Sequence, residues 1–188
     1  CCLINIGDML DNGTAMNGKK IESPKSFQVA CTVTTQIIAA VASNQYGGQS
    51  VDMKHLGKYL RRSHDKFKKR LNEKYGGKLP KNTIEEMVND RVKEELAAGV
   101  QTIQYQINTL MTTNGQSPFL SVNLYLGETK EYKEELAMII EEVLKQRIIG
   151  MKNEKGVFIT PAFPKLLYVL EEDNIHENSK YWYLTKLA

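Results

Sequence analysis

Three cysteines, three histidines, one dense run of cations and one polar turn are the places where this sequence could do chemistry. Cys1 and Cys2 are adjacent and Cys31 stands alone on an apolar stretch, so no pair has the spacing of a metal clip and the set makes no disulfide framework. Free thiols under reducing conditions fit that pattern. A free cysteine is also among the most buried of residue types, so composition alone leaves each one as much a small hydrophobe as a reactive group. His55 and His64 sit among lysines and His176 in a polar stretch, and no two histidines have ligand spacing. From Lys54 to Arg70 there are eight Lys/Arg against one acid, Asp65. Such a run is a phosphate- or nucleic-acid-attracting surface on one reading and a solvated helix face on the other. The turn Thr112 to Ser117 offers hydroxyls, amides and backbone donors, with Asn114 and Gln116 at its centre; it either lines a pocket or is an ordinary polar turn.

The elements that must carry these groups follow from periodicity. Ser23 before Pro24 reads as an N-cap with proline at the first helical position, and Phe27, Ala30, Cys31, Thr34, Ile38, Val41 and Ala42 recur at spacings of three and four. That predicts a helix over 24–46, stopped by Gly47-Gly48. Ser50 is the expected cap of a second helix, whose Met53, Leu56, Leu60, Phe67 and Leu71 form one stripe and which ends near Gly76-Gly77. Asn82 with Glu85 resembles a capping box opening a third helix that runs to about Leu110, with Gly99 as its weak point. Beyond it, Phe119 to Leu126 alternates like a strand, 131–149 reads as a helix closed by Gly150, and Leu166 to Leu170 is an apolar run expected to be a strand covered on both faces. Strand, helix and strand make a βαβ unit with parallel pairing.

With 188 residues, 41% hydrophobic and 25% charged, the chain can bury one sizeable core. Its net charge of +3 does not by itself argue for nucleic acid. No apolar run approaches the roughly 18 to 20 residues needed to cross a bilayer, and the first residues carry no signal peptide, so the expected place is the cytoplasm, with no membrane partner. The absence of an initiator Met and an end within helical pattern suggest an excerpt. One βαβ unit cannot close a sheet, so further strands are expected from chain beyond both ends.

Three strings, Cys1-Cys2-Leu3-Ile4-Asn5, Gln36 to Gly48 and Asn108 to Phe119, closely resemble successive segments of the anaerobic (class III) ribonucleoside-triphosphate reductases, a glycyl radical family. Ile21 to Ser26, Phe163 to Leu166 and Leu184 to Ala188 extend the resemblance over essentially the whole chain. It implies an α/β fold, a slice of a ten-stranded α/β barrel in which 1–188 is part of one catalytic domain. Within it, 24–110 would be the effector and dimer-interface helices, and 111–188 barrel strands and helices. The activity implied is removal of the 2′-hydroxyl of ribonucleoside triphosphates by radical chemistry.

By that resemblance the glycyl radical and a zinc-binding cysteine set lie in the parent protein outside this chain, as does the thiyl-forming cysteine. The implied partners are a second copy of the chain, a radical S-adenosylmethionine iron–sulfur activase and the ribonucleoside triphosphate substrate, with formate as reductant and no nucleic acid. Cys1 resembles the second active-site cysteine, whose thiol gives a hydrogen atom to the substrate radical. Cys2 then alternates to the other face of an extended strand, and Cys31 stays structural. Glu22, Lys25, Gln36 and Lys68 match the specificity site, where a deoxynucleoside triphosphate binds between helices at the dimer interface; the effectors implied are deoxynucleoside triphosphates and ATP. The cationic run and a helix N-terminus beside Lys25 suit such a polyanion. The rival reading is a basic helical nucleic-acid-binding module.

Overall fold

The computed structural model describes residues 2–45, 47–112, 115 and 117–188. The chain opens with β1 (Cys2–Leu3) and α1 (Ile6–Asp11), the latter capped by the Asn5 carboxamide, which accepts the Asp8 N–H at 3.3 Å. An antiparallel hairpin follows, β2 (Thr14–Met16) and β3 (Lys19–Ile21). Its two turn residues, Asn17 and Gly18, have φ of 49° and 70°. Two successive positive φ values are what an Asn-Gly hairpin turn supplies at low cost. Next come α2 (Phe27–Asn44), β4 (Gln49–Asp52), α3 (Lys54–Tyr75) and α4 (Lys81–Thr109). Then come β5 (Leu120–Leu124), a short 3-10 turn (Leu126–Glu128) and α5 (Lys133–Ile149). A second hairpin, β6 (Met151–Lys152) with β7 (Phe158–Ile159), precedes β8 (Lys165–Tyr168), α6 (Glu172–Ile175) and α7 (Trp182–Leu187).

The fold is mixed α/β. Four strands form one sheet in the order β1-β4-β5-β8, every pairing parallel. The expected βαβ unit is β5, α5 and β8, paired from Ser121↔Lys165 to Leu124↔Tyr168. Leu120, Val122 and Leu124 are buried on one face of β5. Val122 and Leu166 share a small cavity with Val100 and Ile103 of α4 and Val143 of α5, so these two helices cover that face.

Several local expectations shift. The first long helix begins at Phe27 with Ser26 as N-cap, three residues later than Ser23 and Pro24 suggested. Its first amides find acceptors on other helices instead of on a local hydroxyl. Ser50 caps no helix but lies inside β4, a run of four residues too short to show a period. The third helix starts at Lys81 directly after Pro80, and Asn82 and Glu85 form no capping box; the Glu85 carboxylate turns to Lys68 at 3.2 Å instead. Nor is the last strand covered on both faces: β8 is an edge strand whose Lys165 and Leu167 are exposed and whose Leu166 and Tyr168 are half-buried.

Gly99 is the largest reversal. A glycine inside a helix costs roughly 1 kcal/mol relative to alanine, yet here it marks the tightest crossing of α2 and α4. A Cβ placed on Gly99 would lie 2.6 Å from Phe27 Cε1 and 3.0 Å from Cys31 Sγ, and both of those side chains are fully buried. Replacing it by alanine should therefore destabilise the fold by about 1–3 kcal/mol, the usual cost of overpacking, even though helix propensity improves. Denaturant unfolding of Gly99→Ala beside the parent sequence checks the sign, and a stabilised variant would refute the close approach.

Candidate functional site

Two surfaces bring polar side chains together. The first is the uncovered face of the sheet. Register puts Leu3, Ser50, Ser121 and Lys165 in one row and Asp52, Asn123 and Leu167 in the next, all on the face opposite Val51 and Val122. Leu3, Lys165 and Leu167 are exposed, Ser50, Ser121 and Asn123 half-buried, and Asp52 buried. Asn123 donates its side-chain N–H to Asp52 at 2.6 Å, while Lys54 lies 3.9 Å from the same carboxylate and 2.5 Å from Glu128. At the head of β5 the exposed Phe119 ring meets Phe163 at 5.0 Å, and the Lys165 ammonium sits over it at 5.2 Å. A parallel sheet is normally apolar on both faces. Hydroxyls, an amide, a carboxylate and an ammonium on one face make a surface able to hydrogen-bond a polar ligand.

The second surface is built by α2, α3 and α4. Glu22 and Lys25, both exposed, flank Ser23 and Pro24 just ahead of α2. Arg62 of α3 ties that segment down, donating to the Pro24 carbonyl at 3.1 Å and to Ser23 Oγ at 3.4 Å. The first amide of α2, Phe27 N–H, donates to Ser63 Oγ at 2.8 Å, and Gln28 N–H donates to Glu95 Oε1 at 3.1 Å. Ser63, fully buried, donates in turn to the same Glu95 oxygen at 3.0 Å. Lys68, exposed on α3, is paired with Glu85 of α4. Gln36 is exposed nine residues into α2, roughly 14 Å along its axis. It lines a groove of ≈ 750 Å³ between α2, the β2–β3 hairpin and the end of α4, together with Met16, Ile21, Ala40 and Gln106. Glu22 and Lys25 are thus close together in the segment ahead of α2, Gln36 lies further along α2 in a groove that Ile21 also lines, and Lys68 is on α3. Cys1, Asn114 and Gln116 lie outside the described residues.

Much of the cationic run is spent on internal pairing. Lys54 goes to Glu128, Lys58 to Asp11, and Arg61 grips Glu135 through Nε at 2.5 Å and Nη2 at 2.8 Å. The ring of His55 packs on Gly7, where a side chain would collide with it. Burial, and secondarily Lys54, depress its pKa, while Asp52, Glu128 and Asp11 pull the other way. Burial pushes the Cys31 thiol well above its ordinary value, with Glu95 adding to the shift, so this cysteine is an unreactive core residue. Among the described residues no group of three His, Cys, Asp or Glu side chains is arranged to hold a metal ion. No described helix is long and apolar enough to cross a membrane.

Sequence reasoning missed Ser63, Glu95 and the Asp52–Asn123 pair. Nothing local announces them, since each acts on a partner at least thirty residues away. The β2–β3 hairpin did carry a signal, the Asn17-Gly18 dipeptide.

The family model for anaerobic ribonucleoside-triphosphate reductase matches residues 1–188. A curated relative of that name from Escherichia coli (strain K12) is 36% identical over 180 residues, 94% of this chain and 24% of the relative. The same name is carried by a protein of Haemophilus influenzae, 35% identical over 92% of this chain and 23% of the relative. It is also carried by one of Enterobacteria phage T4, 34% identical over all of this chain and 30% of the relative. The chain therefore spans between 23% and 30% of the length of these relatives.

The environment of His55 has a pH signature. Its folded pKa lies below the reference 6.5, so the unfolded chain takes up the proton first as pH falls. Stability from this group is present above about pH 6.5 and lost below it. Melting temperatures at pH 7.5 and 5.5 should drop for the parent sequence and drop less for His55→Gln; equal drops would assign the loss to other groups.

Proposed function

The chain belongs to the anaerobic ribonucleoside-triphosphate reductase family, and from that premise we propose that it is a central slice of the catalytic core of such an enzyme, carrying one active-site cysteine and a deoxynucleotide specificity site. The observation that carries the reading is the match of the family over the entire chain, joined to a sheet with two unlike faces. Four parallel strands in chain order suit a stretch of barrel wall, with the other strands supplied by the parent protein. On this reading the helix-covered face is the outside of the wall and the polar face, with Ser50, Ser121, Asn123 and Lys165, looks onto the ribonucleotide.

The reading requires Cys1, two positions before Leu3, to share that open face. Cys2 pairs with Gln49 on the helix-covered side and is half-buried, which suits a residue turned away from the ribose. The glycyl radical of the parent would supply the radical chemistry. Within this chain, the thiol of Cys1 would hold the hydrogen atom delivered to the substrate, and the sheet face would bind and orient the nucleotide. Homodimerisation, the iron–sulfur activase and formate as reductant belong to the same proposal. At the second surface, Lys25 and Lys68 would meet the phosphates of an effector, with Glu22 and Gln36 on its base or sugar. The rival, a nucleic-acid-binding helix, loses support from the pairing of Lys54, Lys58 and Arg61 with acids of neighbouring elements.

In the full-length parent, Cys1→Ser should abolish reduction of ribonucleoside triphosphates while the glycyl radical still forms, as read by electron paramagnetic resonance. An active variant removes Cys1 from the mechanism. Calorimetry with the four deoxynucleoside triphosphates and with a DNA oligomer tests the second site. Nucleotide affinity should differ by base and fall about tenfold or more on Lys68→Ala, one charged contact being worth upwards of a decade. Binding of the oligomer alone, falling steeply with salt, would instead establish the rival.

A further inference from the structure

The helix N-terminus beside Lys25 is the natural place for a phosphate, because its first amides point outward and its dipole is positive. In this structure that place is already answered. The Glu95 carboxylate accepts from Gln28 N–H and, through Ser63, satisfies Phe27 N–H as well. Ten residues earlier on the same α4, Glu85 is paired with the Lys68 ammonium, 3.2 Å to one carboxylate oxygen and 3.4 Å to the other. Both positive features of the second surface, the start of α2 and the side chain of Lys68, thus face carboxylates from one rigid helix.

We propose that Glu85 and Glu95 are built-in counter-anions of this surface, and that they set its affinity for a nucleoside triphosphate by competing with the phosphates. The inference rests on the reading of Lys25 and Lys68 as phosphate ligands. A polyanion arriving there takes Lys68 away from Glu85 and meets repulsion from Glu95, whose negative charge sits where a phosphate oxygen would otherwise accept from Gln28 N–H. Phosphates are then held mainly by ammonium groups and not by backbone amides, and the bound state pulls on α4 at two points ten residues apart. The consequence is deliberate weakness. An effector site must release its nucleotide as cellular pools change, and a site with an exposed helix N-terminus and a free lysine would hold any triphosphate too firmly to discriminate by base.

The test uses the full-length protein at low ionic strength, where exposed charges are least screened. The probes are a deoxynucleoside triphosphate, the matching deoxynucleoside without phosphate, and inorganic tripolyphosphate. Glu85→Gln and Glu95→Gln should each tighten binding of both phosphate-bearing probes by about three- to tenfold and leave the deoxynucleoside unchanged. Glu95→Gln keeps a side-chain oxygen to accept from Gln28 N–H and Ser63 O–H, so the cap geometry persists. Should that variant nevertheless fail to fold, Glu85→Gln, at an exposed pair, decides alone. A folded variant at either position that binds triphosphate no tighter than the parent overturns the inference. Lys25→Ala and Lys68→Ala separate the two levels. If neither weakens triphosphate binding, the effector-site reading itself fails; if they weaken it and the glutamine variants do not tighten it, only the role of Glu85 and Glu95 falls.

Discussion

Where Gly99 meets Phe27 and Cys31, α4 comes so close to α2 that nothing larger than a hydrogen fits between them. That approach places α4 in the middle of the molecule. On one side it buries Phe27, Ala30 and Cys31 of α2; on the other, Val100 and Ile103 reach Val122 and Leu166 of the sheet. Each fully buried side chain of this size contributes roughly 1.5–3 kcal/mol, so the two sides of α4 together hold the helical layer to the strands. Moving α4 away from α2 by the width of a methyl group would open that contact and press Val100 and Ile103 into the sheet, since close-packed interiors transmit such shifts and do not absorb them.

The same helix also organises the charges. Exposed ion pairs such as Lys69–Glu73 contribute about 0–1 kcal/mol, and a roll of them says little about stability. The pairs that matter are those that satisfy groups with no alternative. The amides at the head of α2 cannot find partners within their own helix, and Ser63, wholly buried, must place both its hydrogen and its lone pairs. One oxygen of Glu95 accepts from two donors, Gln28 N–H and Ser63 O–H, and Ser63 Oγ accepts the third, Phe27 N–H. Arg61 works similarly against Glu135, where two parallel bonds fix α3 to α5 with more definition than a single lysine contact would. The cationic run of α3 is therefore mostly the mortar of the helical layer, and even toward its end Lys68 and Lys69 are paired with Glu85 and Glu73.

How much of this the sequence disclosed depends on the range over which each feature is determined. The stripes of α2, α3 and α5 were readable because a helix of five turns repeats its pattern often enough to be seen; Leu56 and Leu60, or Leu136, Ile139 and Ile140, could not be elsewhere than inside. The parallel pairing of β5 and β8 followed from the length of the helix between them. By contrast β1 and β4 have two and four residues, at most two periods of alternation, and only the sheet that receives them defines them. The cap of α2 was misread because Ser23-Pro24 is a strong local signal and the true acceptors, Ser63 and Glu95, come from other helices. Gly99 was read by propensity, as a flaw, where tertiary packing made it a requirement. As for the candidate site, the resemblance named Glu22, Lys25, Gln36 and Lys68, but no pattern in the sequence hinted that two of α4's glutamates stand opposite them.

The two faces of the sheet differ sharply in what they carry. On the covered face Val51, Leu120, Val122 and Leu124 are packed as in any parallel sheet. On the other, exposed Leu3, Phe119 and Leu167 alternate with Ser50, Ser121, Asn123 and Lys165. A face meant only for water would not spend three large apolar side chains there, and a face meant only for packing would not carry a lysine and the hydrogen-bonded Asp52–Asn123 pair. Large apolar side chains and hydrogen-bonding groups thus share one face, a composition that suits contact with both apolar and polar partners. The α4 crossing at Gly99 therefore fixes two things at once, the covered face of the sheet through Val100 and Ile103 and the packing of α2 through Phe27 and Cys31.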